Sequence, residues 1–364
     1  MAVLPAAHEP PEPPEPPAAD RPGTAPQRVQ MADIARLAGV SKATVSRALS
    51  GSTLVGRETR ARILALAGEL KYTINIGAQN LRLKQNRTVA VVVPFDCAAR
   101  AHLNDPLFLS MLGALADALT AHGFDMLLAR VAAEQIECAA QPFDTGRVLG
   151  IILIGQWRQH EQLNTLNALA ARQVPLVVWG AQLAQQRYTT VGGDNVSGGE
   201  LATSHLLRQG RRRIAFFGDR SLPEVAQRYR GYCNALAAHT LPVDPQLCVA
   251  APFVPEGGAE AVHEMARRAV AYDAIFACSD LLAMTAINTL RGYGRQVPGD
   301  IAVVGYDDIA LSSYYHPALT TIRQPVRAAG VALVAALMAL IDGRPVASQQ
   351  LPTELIVRAT TAPH

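Results

Sequence analysis

The stretch Met31–Ser50, MADIARLAGVSKATVSRALS, carries the side chains in this chain best suited to touching a nucleic acid. Lys42, Ala43, Thr44, Ser46 and Arg47 combine short polar groups, a methyl and two long cations. Such groups reach phosphates and base edges; Arg47 has the fork needed for a bidentate bond to guanine, whereas Ala43 offers only its methyl. To present them together the chain must form two short helices joined by a tight turn. Ile34, Leu37 and Ala38 recur at helical spacing and give the first helix a buried side; Val45, Ala48 and Leu49 do the same for the second. Gly39 can take the left-handed conformation that closes a helix, Val40 plugs the angle, and Ser41 can cap the next helix. The pattern predicts a helix-turn-helix. Taken alone, these residues leave open an ordinary helical hairpin with a solvated face.

Charge supports the first reading. The 364-residue chain has a net charge of +3, unevenly spread. From Arg28 to Arg87 there are eleven Lys and Arg against three acids, a balance of +8; the preceding residues sum to −3 and those from Thr88 onward to −2. A basic small module joined to a near-neutral large one fits nucleic-acid binding by the first alone. The five cysteines (97, 138, 233, 248 and 278) lack CxxC spacing, so neither a zinc site nor a disulfide framework is expected, and a reducing cytosol fits best. No charged start followed by an apolar run precedes the module, and no apolar strand is long enough to span a bilayer, so neither secretion nor a membrane is expected.

Residues 1–27, with EPPEPPEPP, read as a disordered, partly polyproline-like tail. Arg57–Lys71 reads as a third helix whose Ile63, Leu66, Ala67 and Leu70 close a small core. In KYTINIGAQNLRLKQNRT, Ile76–Lys84 can form one or two helical turns, and Leu81 has no obvious packing role. A short helix of this kind can drive an apolar wedge into a minor groove; the alternative is a linker leucine packed on its own domain. From Thr88 strands and helices alternate, which implies parallel strands with helices on both faces. About ten strands are too many for one open sheet, so two doubly wound lobes with a cleft between them are expected, ligands sitting at the strands' carboxyl ends.

VGGDNVSGG has glycines enough for a phosphate cradle but lacks the Lys-Ser/Thr of a nucleotide-binding loop. Its glycines are expected to let a helix begin close to the sheet. No GxSxG, HExxH or His/Cys cluster is present, so no enzyme activity, metal or cofactor is expected.

Taken in order, IARLAGVSKATVSRALSG, KYTINIGAQNLR, NDPLF, VGGDNVSGG, GRRRIAFFG, RYRGY, ACSDLLA, VPGDIAVVGYDD, PALTTIRQP and LPTELIVRATT resemble the lactose-repressor/galactose-repressor family over nearly all of Val29–Thr361. The resemblance implies a helix-turn-helix DNA-binding domain over residues 28–75, a hinge helix and linker over 76–87, and an effector-binding and dimerisation core of periplasmic-binding-protein type over 88–364. It implies base-edge contacts from Lys42, Ala43 and Arg47, and backbone contacts from Ser41, Thr44, Ser46, Tyr72 and Asn75. Leu81 matches the hinge wedge, with Ala78 and Gln79 on the same hinge helix. Ile74 stands where many members have proline and Gly56 where a capping Ser is usual. In the cleft the resemblance points to Asp105, Phe108, Gln156, Trp157, Arg228, Phe253, Asp280 and Asp307. Carboxylates and an Arg suit vicinal hydroxyls and an aromatic face suits a sugar's C–H surface, although an Asp after a strand can equally cap a helix.

The function expected is therefore a repressor that binds a palindromic DNA operator as a homodimer, located in the bacterial cytoplasm at the nucleoid and controlled by a small effector, a sugar or sugar derivative. No heptad pattern follows Thr361, so a dimer is expected in place of a coiled-coil tetramer. The alternative is a cytosolic sugar-binding sensor whose basic module reads no specific DNA site. A sugar-modifying enzyme lacks catalytic residues.

Overall fold

A computed structural model describes residues 30–49, 52, 54–70, 86–95, 105–155, 159–254 and 256–361. The chain divides into two compact units, residues 1–83 and 84–364.

Among its described residues the first unit contains three helices, α1 (Met31–Leu37), α2 (Lys42–Leu49) and α3 (Arg57–Glu69). Asp33 reaches back to the Gln30 amide to start α1. Gly39 ends it with φ +63°, a conformation that strains a side chain carrying Cβ. The Ser41 hydroxyl accepts the Thr44 amide at 3.2 Å, as a helix-opening serine should. Gly56 precedes α3 without a side-chain cap. Ile34, Ala38, Val45, Ala48, Ile63 and Ala67 form the core. Arg62 ties α3 to the end of α1 by donating to the Ala38 carbonyl. One expectation fails: Leu37 is 55% exposed, because α1 turns that position outward and Ala35 fills the inner face instead.

Among its described residues the second unit holds two six-stranded sheets. Its strands are β1 (Thr88–Phe95), β2 (Asp125–Ala132), β3 (Ile151–Leu153), β4 (Leu176–Trp179), β5 (Thr189–Gly193) and β6 (Ile214–Phe217). There follow β7 (Cys248–Val249), β8 (Ala274–Ala277), β9 (Ala302–Asp307), β10 (Thr320–Arg323), β11 (Gln349–Leu351) and β12 (Glu354–Ile356). The orders are β2-β1-β3-β4-β5-β11 and β7-β6-β8-β9-β10-β12, the same winding used twice. All pairings are parallel except β10 with β12. The central strands are apolar on both faces, as a parallel sheet covered by helices on each side requires, and a separate apolar core lies on either face of each sheet.

The path passes between sheets three times. It leaves the first lobe after β5, returns after β10 through the Val326–Ile341 helix, and crosses again between β11 and β12. These crossings lie side by side: the Asp194 amide donates to the Leu351 carbonyl and the Thr353 hydroxyl to the Asp194 carbonyl. The sheet-to-sheet joint is thus a cluster of backbone built from residues far apart in sequence.

Candidate functional site

Two places gather the residues singled out by sequence. The first is the outer face of α2. Val45 and Ala48 are buried, which fixes the helix's rotation; Lys42 and Arg47 are then exposed, and Ala43, Thr44 and Ser46 partly so. Ser41 is exposed at the helix start, its hydroxyl 2.9 Å from that of Thr44. The same unit carries Arg36 on α1 and Arg57, Arg60 and Arg62 on α3. Tyr72, Asn75, Ala78, Gln79 and Leu81 lie outside the described residues.

The second is a cavity between the two sheets that opens to solvent. Phe108, Trp179 and Phe253 supply aromatic walls, and Asn195, Glu224 and Arg228 the polar ones. Trp179 ends β4 and Asn195 opens the helix after β5, so the cavity lies at carboxyl ends of strands, where such folds bind ligands. Gln324, on a crossing between lobes, lines both this cavity and a wider neighbouring one that contains Asp307.

Arg228 is 4% exposed and is held by the sequence around it. A Cβ on Gly199 would collide with the Arg228 carbonyl, and one on Gly231 with the Val196 carbonyl. Glycine at both positions lets helix Pro223–Ala238 press onto helix Asn195–Arg208. Arg228 Nε donates to Asn195 Oδ1 at 2.9 Å and Nη1 to the Cys278 carbonyl. Its guanidinium lies 3.7 Å from the centre of the Tyr306 ring, a desolvated cation–π contact worth about 2 kcal/mol. Glu224, one turn earlier on the same helix, accepts the Ala181 amide at 3.0 Å, and burial raises its carboxyl above the usual range.

Asp307 closes β9 at 7% exposure and accepts the Gln324 amide at 2.7 Å. Burial pushes its carboxyl well up, opposed chiefly by the Arg228 charge. Asp307 and Asp308 both have positive φ, +115° and +54°, in a region costly for non-glycine residues. The turn is pinned from outside by ion pairs of Asp308 with Arg323 and Arg358, each 2.7 Å.

Asp280 pins that turn from inside. Its carboxylate is wholly buried, accepts from the Ile309 amide and the Ser312 and Thr321 hydroxyls, and lines neither cavity. Burial raises its pKa to about 7, against the pull of those donors. Asp105 likewise caps helix Pro106–Ala121 through the Leu107 and Phe108 amides and lines neither cavity; burial raises its pKa. Phe108, Arg228, Phe253 and Asp307 are brought to the cavities as expected by position, while Gln156 and Trp157 lie outside the described residues. Trp179, Asn195, Glu224 and Gln324 were not singled out by sequence. Glu224 was findable from its spacing of four to Arg228, and Trp179 from its place at a strand end. Asn195 and Gln324 carry no local signal, because the crossings bring them together.

Among the described residues no group of three or more His, Cys, Asp or Glu could hold a metal, and no helix is long and apolar enough to cross a membrane. Residues 30–75 match the family of bacterial regulatory proteins described as lacI, and residues 203–361 match a periplasmic binding protein-like domain. The transcriptional regulator CelR of Thermobifida fusca is 32% identical over 336 residues, covering 89% of this chain and 96% of that protein. The solved CelR–cellobiose complex superposes with a TM-score of 0.69 at 30% identity, covering 92% of this chain and 100% of that one. The lac repressor dimer bound to operator and the anti-inducer ONPF gives a TM-score of 0.81 at 27% identity, covering 92% and 99%.

Proposed function

The chain belongs to the lacI family of bacterial regulatory proteins, and on that premise we propose that it is a cytoplasmic repressor that binds a palindromic operator as a homodimer and is controlled by a sugar or sugar derivative in the cavity between its lobes. The observation that carries the reading is the outer face of α2, where packing of Val45 and Ala48 leaves Lys42 and Arg47 in solvent on the second helix of a helix-turn-helix. In this reading residues 28–75 contact DNA and 76–87 form the hinge. Lys42, Ala43 and Arg47 meet base edges; Ser41, Thr44, Ser46, Tyr72 and Asn75 meet the backbone; Ala78, Gln79 and Leu81 enter the minor groove. The core, 88–364, binds effector and pairs the subunits. Arg228, Asp307, Phe108 and Phe253 face the ligand.

Support for control by ligand comes from the joint. Gln324 sits on a crossing and lines both cavities, so a ligand bonded to it acts directly on a segment that joins the lobes. A ligand shifts such an equilibrium only by its difference in affinity for the two states.

The test is selection from genomic fragments with the full-length protein, with Arg47→Ala as control. A two-half-site palindrome, lost in the variant, is expected. Its affinity should fall by roughly 10³–10⁵ between 50 and 200 mM salt for six to ten phosphate contacts. Enrichment of no sequence would sink the regulator reading in favour of a sugar-binding sensor.

A further inference from the structure

The cavity has an unusual charge balance. Glu224 and Arg228 lie one turn apart on one helix face. Beyond its own amide and that of Ala181, no donor among the described residues reaches the Glu224 carboxylate. Arg228, the only cation among the described residues lining this cavity, already faces Asp307 and Glu224 electrostatically and donates to Asn195 and Cys278. An incoming anion therefore finds no uncompensated positive group there, but does find a carboxylate with acceptor capacity to spare. A hydroxyl hydrogen satisfies that carboxylate; a phosphate or carboxylate oxygen repels it. Trp179 and Phe253 meanwhile offer apolar faces suited to a ring's C–H surface.

We propose that Glu224 is the specificity-determining residue of the cavity, admitting an uncharged polyhydroxylated ligand by accepting its hydroxyls and excluding the phosphorylated or carboxylated form of the same molecule. This rests on the effector reading of the cavity given above. Like charges set against each other in a desolvated site weaken binding by about 100-fold or more.

The experiment uses full-length protein and paired probes: glucose with glucose 6-phosphate and glucuronic acid, ribose with ribose 5-phosphate, and cellobiose with cellobionic acid. Binding is followed by calorimetry and by the intrinsic fluorescence of the two tryptophans, Trp157 and Trp179. At least one neutral probe should bind about 100-fold more tightly than its charged partner. Glu224→Gln, which keeps an acceptor for the Ala181 amide, should narrow that gap at least about tenfold, mainly by admitting the charged probe. Glu224→Ser, which removes the charge with less bulk, should narrow it too and guards against one variant misfolding. Three outcomes overturn the proposal: a charged probe binding as tightly as its neutral partner, discrimination unchanged in both variants, or no pair binding at all. The fragment selection separates the two claims. An operator found without sugar discrimination sinks only the role of Glu224; discrimination without an operator sinks the regulator reading and keeps that role.

Discussion

The outer face of α2 and the cavity of the core solve recognition in opposite ways. On α2 the side chains available to a ligand stand in solvent, and the fold's only task is to bury Val45 and Ala48 behind them. In the core the polar groups are drawn inside, and each is held by others: Arg228 by Asn195 and Cys278, Asp307 by Gln324, the turn beneath by Asp280. An exposed reader can be altered at less cost to the fold than a buried one, whose many partners lose their hydrogen bonds with it.

Arg47→Ala tests the exposed side of this contrast and should give the largest effect. One bidentate guanine contact contributes about 1–3 kcal/mol, so two modules on one operator lose roughly 2–6 kcal/mol, about a thirtyfold to twenty-thousandfold weakening in fluorescence anisotropy. The unfolding midpoint should stay put, since exposed substitutions usually fall within about 0.5 kcal/mol. A protein that loses stability as well would break the contrast.

Arg228→Met tests the buried side. It keeps the apolar stem but leaves Asp307 and Glu224 without their counter-charge, the Cys278 carbonyl without its Arg228 donor, and Asn195 Oδ1 with only the Tyr306 hydroxyl at 3.3 Å. Breaking a buried charged set by removing one partner costs about 3–5 kcal/mol, read as a lower denaturant midpoint together with loss of sugar binding. Loss of sugar binding at unchanged stability would mean that Arg228 is as dispensable to the fold as Arg47.

Asp280→Asn sharpens the distinction between holding and touching. The amide has one acceptor oxygen where the carboxylate has two, so an NH₂ must face the donors Ile309, Ser312 or Thr321. One unsatisfied buried group costs about 1–3 kcal/mol. The pH dependence has a definite sign. The folded carboxyl titrates at about 7 and the unfolded one at about 4, so between those values the folded chain holds a proton that the unfolded chain releases. Stability from this group therefore falls as pH rises through that window and is level above it. Denaturant titrations across pH should show that slope in the native protein and a shallower one in Asp280→Asn; equal slopes would remove Asp280 as its source.

Legibility in the sequence followed the same division. The helix-turn-helix could be read because its face, cap and turn lie within about twenty consecutive residues, and helical periodicity alone says which side faces out. Leu37 broke the pattern because a period of 3.6 leaves both position 35 and position 37 beside the stripe, and only packing decides which is inside. The alternation of strands and helices likewise declared two doubly wound lobes. The cavity was half legible. Arg228 and Asp307 stood out by type and place, but Asp280 looked equally suited, since sequence cannot tell a carboxylate that follows a strand into the cleft from one that turns beneath it. Asn195 and Gln324 were silent, because what makes them neighbours is the return of the chain from one sheet to the other after more than a hundred residues.

The smallest effect belongs to Ser41, where exposed reading and local structure meet in one hydroxyl. It accepts the Thr44 amide at the start of α2 and, in the proposed complex, also meets the DNA backbone. Ser41→Ala removes both roles and should cost about 1 kcal/mol of helix stability, whereas Ser41→Gly, a tolerable opening residue, should cost only a few tenths. Hydrogen exchange at the Thr44 amide of the full-length protein reads the cap, and operator anisotropy reads the contact. If the hydroxyl touches DNA, the two variants weaken binding by similar small factors although only Ser41→Ala loosens the helix. The slope of affinity against salt should be unchanged in both, because a lost hydroxyl releases no counterion. Should Ser41→Gly bind operator as native protein does, the serine serves the helix alone, and the DNA-reading face of α2 begins at Lys42.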